Sequence, residues 1–180
     1  MGGALFMGCG SQVQSVNEVC YPWLLSVWVK TPILRNSEIL LSSACLPIVD
    51  PRVFEELSKD RVILLVCPEK ESTAYYGKIA SIVRSSKPRR MVVATIDGSP
   101  HCFILHASVN EAEYILGEKL EKEHYVLMGG KLKRISPDAV RIARYLGLVD
   151  EAISRDPSII DNLSKLSEEY RMARRLYNSR

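Results

Sequence analysis

Residues 90–106 constrain this chain most, because they read as strand, turn and helix with two reactive side chains at the junction. Met91, Val92, Val93, Ala94, Thr95 and Ile96 form an apolar, β-branched run, the pattern of a strand buried on both faces as in a parallel sheet. Asp97-Gly98 breaks the run and Ser99-Pro100 supplies a helix start. A serine oxygen accepts from the N–H groups of the first turn, and proline at the first helical position gives up no needed donor. His101 and Cys102 then fall in that first turn, where the partial positive charge of a helix favours a thiolate or a bound anion.

The same grammar recurs along the chain. Residues 4–8 form a short apolar run ending at Cys9, residues 38–44 end at Cys45, and residues 61–66 end at Cys67. The expected fold is therefore α/β: an open parallel sheet of the Rossmann-like or flavodoxin-like kind, with at least four strands and helices on both faces. In such a sheet the carboxyl ends of the strands share one edge, and ligands bind in the crevice outside it. Cys9, Cys45, Cys67 and Cys102 would meet there, and four cysteines are the usual ligand set of an iron–sulfur cluster, [2Fe-2S] or [4Fe-4S]. Cysteine is also a small, often buried hydrophobe, so the same pattern is compatible with thiols that only pack.

Composition narrows the classes. Of 180 residues, 47% are hydrophobic and 25% charged, ordinary for a soluble globular protein. The net charge of +3 is too small to argue for nucleic acid. Five cysteines, an odd number without the dense spacing of a secreted scaffold, suit a reducing interior, and the cytoplasm is the expected compartment. The first residues lack the positive region of a signal peptide, and no run approaches the roughly 20 apolar residues of a membrane span.

In chain order, Gly8-Cys9-Gly10-Ser11 is a flexible turn that lets backbone approach a bound group, yet neither G-x-G-x-x-G nor a P-loop occurs. Val13, Val16, Val19, Trp23, Leu24 and Val27 predict a helix over 12–29, kinked or restarted at Pro22, with Cys20 a packed thiol and Trp23 and Trp28 in core or subunit contacts. Asp50-Pro51 starts a short helix, and a further one runs through Tyr75, Tyr76, Ile79, Ile82 and Val83. The basic linker Lys87-Pro88-Arg89-Arg90 enters the next strand at the edge opposite the cysteines. His106 lies one helical turn beyond Cys102, giving a His-Cys-x-x-x-His run, although a histidine on a core helix is more often a satisfied buried group. Gly129-Gly130 between two strand-like runs is a strong hairpin signal.

After that hairpin, Ser136-Pro137 starts a helix that Gly147 would end, and Asp156-Pro157 starts the last one. In that last helix Ile159, Leu163, Leu166, Tyr170, Ala173 and Tyr177 alternate spacings of four and three, a narrow stripe suited to one facing helix. The seam near 117–122 gives two expected parts: an α/β cysteine-bearing domain over 1–120, and a hairpin plus helical extension over 121–180 packed on it.

Two stretches carry a resemblance. Cys45-Leu46-Pro47-Ile48-Val49-Asp50-Pro51-Arg52-Val53-Phe54, followed by a strand ending in Val66-Cys67, resembles the iron–sulfur delta subunit family of methyl-viologen-reducing hydrogenases over about 30 residues. That resemblance implies a small α/β domain that holds a cluster and passes electrons to a larger partner. It departs from the family in having Cys9 alone where paired cysteines are expected, and Pro68-Glu69-Lys70-Glu71 where a second cysteine and a histidine belong, so Cys102 would have to supply a ligand. Residues 93–102 also resemble uncharacterised archaeal proteins, some of them ferredoxin-like.

Three functions follow as expectations. The leading one is an iron–sulfur electron-transfer or cluster-binding subunit with Cys9, Cys45, Cys67 and Cys102 as ligands and a redox protein as partner. The second is a thiol enzyme with Cys102 as nucleophile, His101 or His106 as base and Asp97 as orienting acid. The third is a non-catalytic interaction module, its cysteines structural and its C-terminal helix the contact to a partner or a second copy.

Overall fold

The computed structural model describes residues 13–16 and 19–178, so the run over 4–8 and Cys9 lie outside the described residues. An antiparallel pair comes first, β1 (Val13–Val16) with β2 (Val19–Pro22). The helix expected over 12–29 is thus replaced by this hairpin and a 3-10 turn at Leu24–Ser26. The valines that suggested a helical face are β-branched, and that chemistry prevails in so short a stretch ahead of Pro22.

The rest of the fold is a five-stranded sheet. It consists of β3 (Glu38–Ser43), β4 (Val62–Val66), β5 (Arg90–Ile96), β6 (Lys122–Met128) and β7 (Lys131–Ile135), in the order β4-β3-β5-β6-β7. The first four are parallel and β7 returns antiparallel. The runs ending at Cys45, Cys67 and Asp97 are therefore parallel neighbours in one sheet, as expected. The glycine turn forms as expected too, both glycines taking positive φ (Gly129 at 55°, Gly130 at 75°). Its hairpin extends the sheet, however: β6 is the fourth parallel strand, and the chain divides into compact units at Pro137 and Asp138, not near 117–122.

Helices cover both faces. Over one lie α3 (Tyr75–Ser86) and α4 (Pro100–Leu116), where Tyr75, Ile79, Leu105 and Val109 pack with Ile39, Leu41 and Val93. Over the other lie α1 (Leu46–Val49) and α2 (Pro51–Ser58), where Leu46, Phe54 and Leu57 pack with Leu40, Val92 and Ala94. Alternate residues of β3 and β5 thus feed opposite cores, which is why both read as unbroken apolar runs. Each fully buried Leu or Ile contributes about 1.5–3 kcal/mol. Asp50 and Ser99 cap α2 and α4 as predicted, accepting from Val53 N at 3.2 Å and Cys102 N at 3.4 Å.

Two sets of polar contacts hold the sheet in place. The turn after β2 is clamped from a distance: Glu71 accepts from Leu25 N at 2.9 Å, Ser86 donates to Val29 O at 2.5 Å, and Lys78 donates to Val27 O. At the amino ends of the strands, charges alternate across the whole sheet in strand order. Arg61 before β4 pairs with Glu38 of β3 at 3.4 Å, and Glu38 with Arg90 of β5 at 3.9 Å. Arg90 pairs with Glu123 of β6 at 3.5 Å, and Glu123 with Arg134 of β7 at 3.4 Å.

The second unit, Asp138–Arg180, is helical: most of α5 (Pro137–Ile142), then α6 (Leu146–Arg155), α7 (Ser158–Leu166) and α8 (Glu168–Asn178). Gly147 does not end a helix here but lies in the first turn of α6. The single last helix is also two, broken at Ser167 (φ −98°, ψ 115°), whose hydroxyl accepts from Tyr170 N at 3.1 Å. Ser167 followed by Glu168-Glu169 is a helix-start signature that interrupts the apolar stripe. Ile159, Leu163, Leu166 and Tyr177 of that stripe are exposed, and Tyr170 and Ala173 are half-buried. No helix among the described residues is long and apolar enough to cross a membrane.

Candidate functional site

Strand order places the site. The chain leaves β3 for β4 on one side, then crosses back to β5 on the other, so connections diverge from the carboxyl ends of β3 and β5 to opposite faces. In open α/β sheets ligands bind at such a switch point. At this edge stand Cys45, two residues after β3, and the Asp97-Gly98-Ser99 turn into α4, where Gly98 takes a φ of +78°. Cys67 follows β4 in a tight turn whose Lys70 and Glu71 amides donate to its carbonyl at 2.9 and 2.8 Å.

Three of the four expected thiols therefore come to one edge from three strands. Cys45 is exposed, Cys67 half-buried and Cys102 buried in the first turn of α4, and all three are free. Burial pushes the Cys45 thiol up, and negative charge on Cys67, Cys102 and Glu69 pushes it further. A group whose ionisation is opposed by neighbouring anions gains most from a cation placed among them. Yet no three His, Cys, Asp or Glu side chains among the described residues stand ready to hold a metal ion. Cys20 lies on β2 away from this edge and is disulfide-bonded, where a packed free thiol was expected.

The two histidines of the α4 run lie in different settings. His101 Nδ1 pairs with Glu69 at 2.8 Å on the surface of the site. His106 is buried, with Nε2 2.8 Å from Thr95 Oγ1 and Nδ1 2.9 Å from Nδ1 of His124. Both ring nitrogens of His106 are engaged, so it is not placed as a base for Cys102. Of any such nitrogen pair one ring must donate and the other accept, so His106 and His124 share one proton between their Nδ1 atoms. Burial alone holds His106 down at about 4.

Several contributors went unread in the sequence. Glu69, whose charge is felt at Cys45, is one of them. Lys70 lies over the Trp23 ring, 4.3 Å from its centre, and so braces the turn that follows Cys67. Ser43 Oγ, at the carboxyl end of β3, is buried and has no hydrogen-bond partner among the described residues. His124 had a signal, since it alternates with Lys122 and Val126 along a strand that faces α4 on that side.

A family model described as a Rossmann-like domain matches residues 31–177. The chain belongs to that family. The match spans both units of this Rossmann-like domain and agrees with its α/β architecture, whereas the resemblance to the hydrogenase delta subunit finds no support there. No curated protein and no solved structure matches the chain.

Proposed function

We propose that this Rossmann-like domain is a thiol-based redox protein that binds an iron–sulfur cluster at the carboxyl edge of its sheet and exchanges electrons with a redox protein partner. The observation that carries the reading is the placement of Cys45, Cys67 and Cys102 at the carboxyl edge of one sheet, after three separate strands, with the charge of the other two felt at Cys45.

The donor chemistry fits such a group. Thiolates are the ligands that soft iron–sulfur centres take, and mutual repulsion between them, felt at Cys45, is relieved by a cationic centre. Ser43 Oγ, a buried hydroxyl at the carboxyl end of β3 with no hydrogen-bond partner among the described residues, adds an orphaned polar atom on the same edge. The spacing fits only in part: the described residues form no closed ligand set, and with Cys20 in a disulfide no fourth free thiol stands among them. When bound, the cluster would supply the electron acceptor. The chain's own part is to hold thiols at a rim, with His101 paired to Glu69 beside them and a dry core beneath.

Protein purified without oxygen decides it. The reading expects broad visible absorption, iron and acid-labile sulfide in fixed ratio, and loss of all three in Cys45→Ser and Cys67→Ser variants that keep wild-type far-ultraviolet circular dichroism. Colourless protein that takes up no iron and sulfide on reconstitution would sink the reading.

A further inference from the structure

The helical unit over 138–180 raises a separate question, because it has almost no core of its own. Among its described side chains only Val140 is buried, and α6 and α7 bury nothing. Leu146, Leu148, Ile159, Leu163, Leu166 and Leu176 are all exposed. Amphipathic helices hold together by burying their apolar stripe, so this many aliphatic side chains on one short unit call for a cover.

Charge says what covers it. The unit carries eight basic and seven acidic residues, too balanced to select an anionic membrane or a nucleic acid. The signs are segregated instead. From 150 to 161 there are four acids, Asp150, Glu151, Asp156 and Asp161, and one base, Arg155. From 171 to 180 there are four arginines and no acid. Within the chain these two stretches do not neutralise each other among the described residues. Arg171 caps α7 by donating to Ser164 O and Lys165 O at 3.0 and 3.1 Å, Arg174 lies over the Tyr170 ring, and Arg155 pairs locally with Glu151 at 3.1 Å.

We propose that the surface is completed by a second copy of this chain, two helical units packing about a two-fold axis with the acidic stretch of each facing the arginine-rich end of the other. A two-fold contact brings residue i of one copy to j of the other and j to i, so an apolar face flanked by opposite charges is its own complement. The apolar residues supply the stability of the dimer, and the flanking charges set its orientation.

Sedimentation equilibrium on the full chain tests this. The wild type is expected to be a reversible dimer, and Leu163→Glu with Leu166→Glu to be a monomer. Arg174→Glu with Arg175→Glu, and separately Asp150→Lys with Asp161→Lys, each weaken self-association about tenfold or more, equal to about 1.4 kcal/mol. Mixing the two charge-reversed proteins restores association, because each then meets its complement. Far-ultraviolet circular dichroism and the melting of the sheet unit show whether each variant is folded. A wild type that stays monomeric at the highest attainable concentration overturns the proposal, whether or not it binds vesicles or another protein. So does a dimer indifferent to both reversals, or one that the mixture fails to restore.

Discussion

The two ends of the central sheet are built from the same strands and put to opposite uses. At the amino end, Glu38 and Glu123 alternate with Arg61, Arg90 and Arg134, so that every charge has a neighbour of the other sign. At the carboxyl end stand three free thiols, of which Cys45 has its ionisation opposed by burial and by charge on the other two, and a buried hydroxyl with no hydrogen-bond partner among the described residues. Paired charges serve the sheet, whereas perturbed titratable groups mark candidate functional sites. The contrast teaches that the carboxyl end is where this domain was left open, and three experiments press on it.

The largest effect should come from acid. His106 lies beneath the carboxyl half of the sheet, with its pKa held near 4 against 6.5 unfolded. Between those values the unfolded chain binds a proton that the folded chain refuses. The stability from this group is therefore complete above about pH 6.5 and lost as pH falls to about 4, about 3 kcal/mol in all. Chemical unfolding across that window should show the slope, and His106→Gln should flatten it. Hydrogen exchange at pH 5 should show α4 and the carboxyl halves of β5 and β6 opening before their amino ends; uniform loss would break the comparison.

A smaller effect is expected at the amino end. Glu38→Ala removes the carboxylate shared by Arg61 and Arg90 and should cost roughly 1 kcal/mol in urea unfolding, less at high salt, because the groups are partly exposed. Alkylation of Cys45 should be unchanged in that variant. A changed rate would mean that the two ends are coupled.

The smallest effect concerns the thiols alone. The pH dependence of Cys45 alkylation should have its midpoint above that of an ordinary thiol, and Cys67→Ser should bring it part of the way back. Burial, with charge on Cys102 and Glu69, would hold the remainder. A midpoint unmoved by Cys67→Ser would mean that the thiols do not sense one another.

What could be read in the sequence was whatever is settled within a few residues. Ser99-Pro100, Asp50-Pro51 and Gly129-Gly130 carry their own turn and cap chemistry, and the structure uses each as that chemistry dictates. The runs before Cys45, Cys67 and Asp97 became parallel strands because unbroken apolar stretches have nowhere to go but between two layers. Distant contacts stayed hidden. The turn after β2 depends on Glu71, Lys78 and Ser86, which lie about 50 residues away, so local periodicity misled there. His106 looked like a satisfied core histidine and is one, but its partner His124 belongs to another element 18 residues on. The edge at which the thiols gather was legible, while their mutual influence depends on side-chain depth that no spacing reveals.

The row of charges at the amino end also bears on which sheets this chain refuses to form. Parallel strands of similar composition can be shuffled at little hydrophobic cost. Here a shuffle that set β4 beside β5 would bring Arg61 against Arg90, and one that set β3 beside β6 would bring Glu38 against Glu123. Like charges directly opposite one another on neighbouring strands are destabilising. Only an order in which acid and base alternate escapes that conflict, and the observed order is one. The row thus disfavours misordered sheets through the like-charge contacts that they would bring together at one edge.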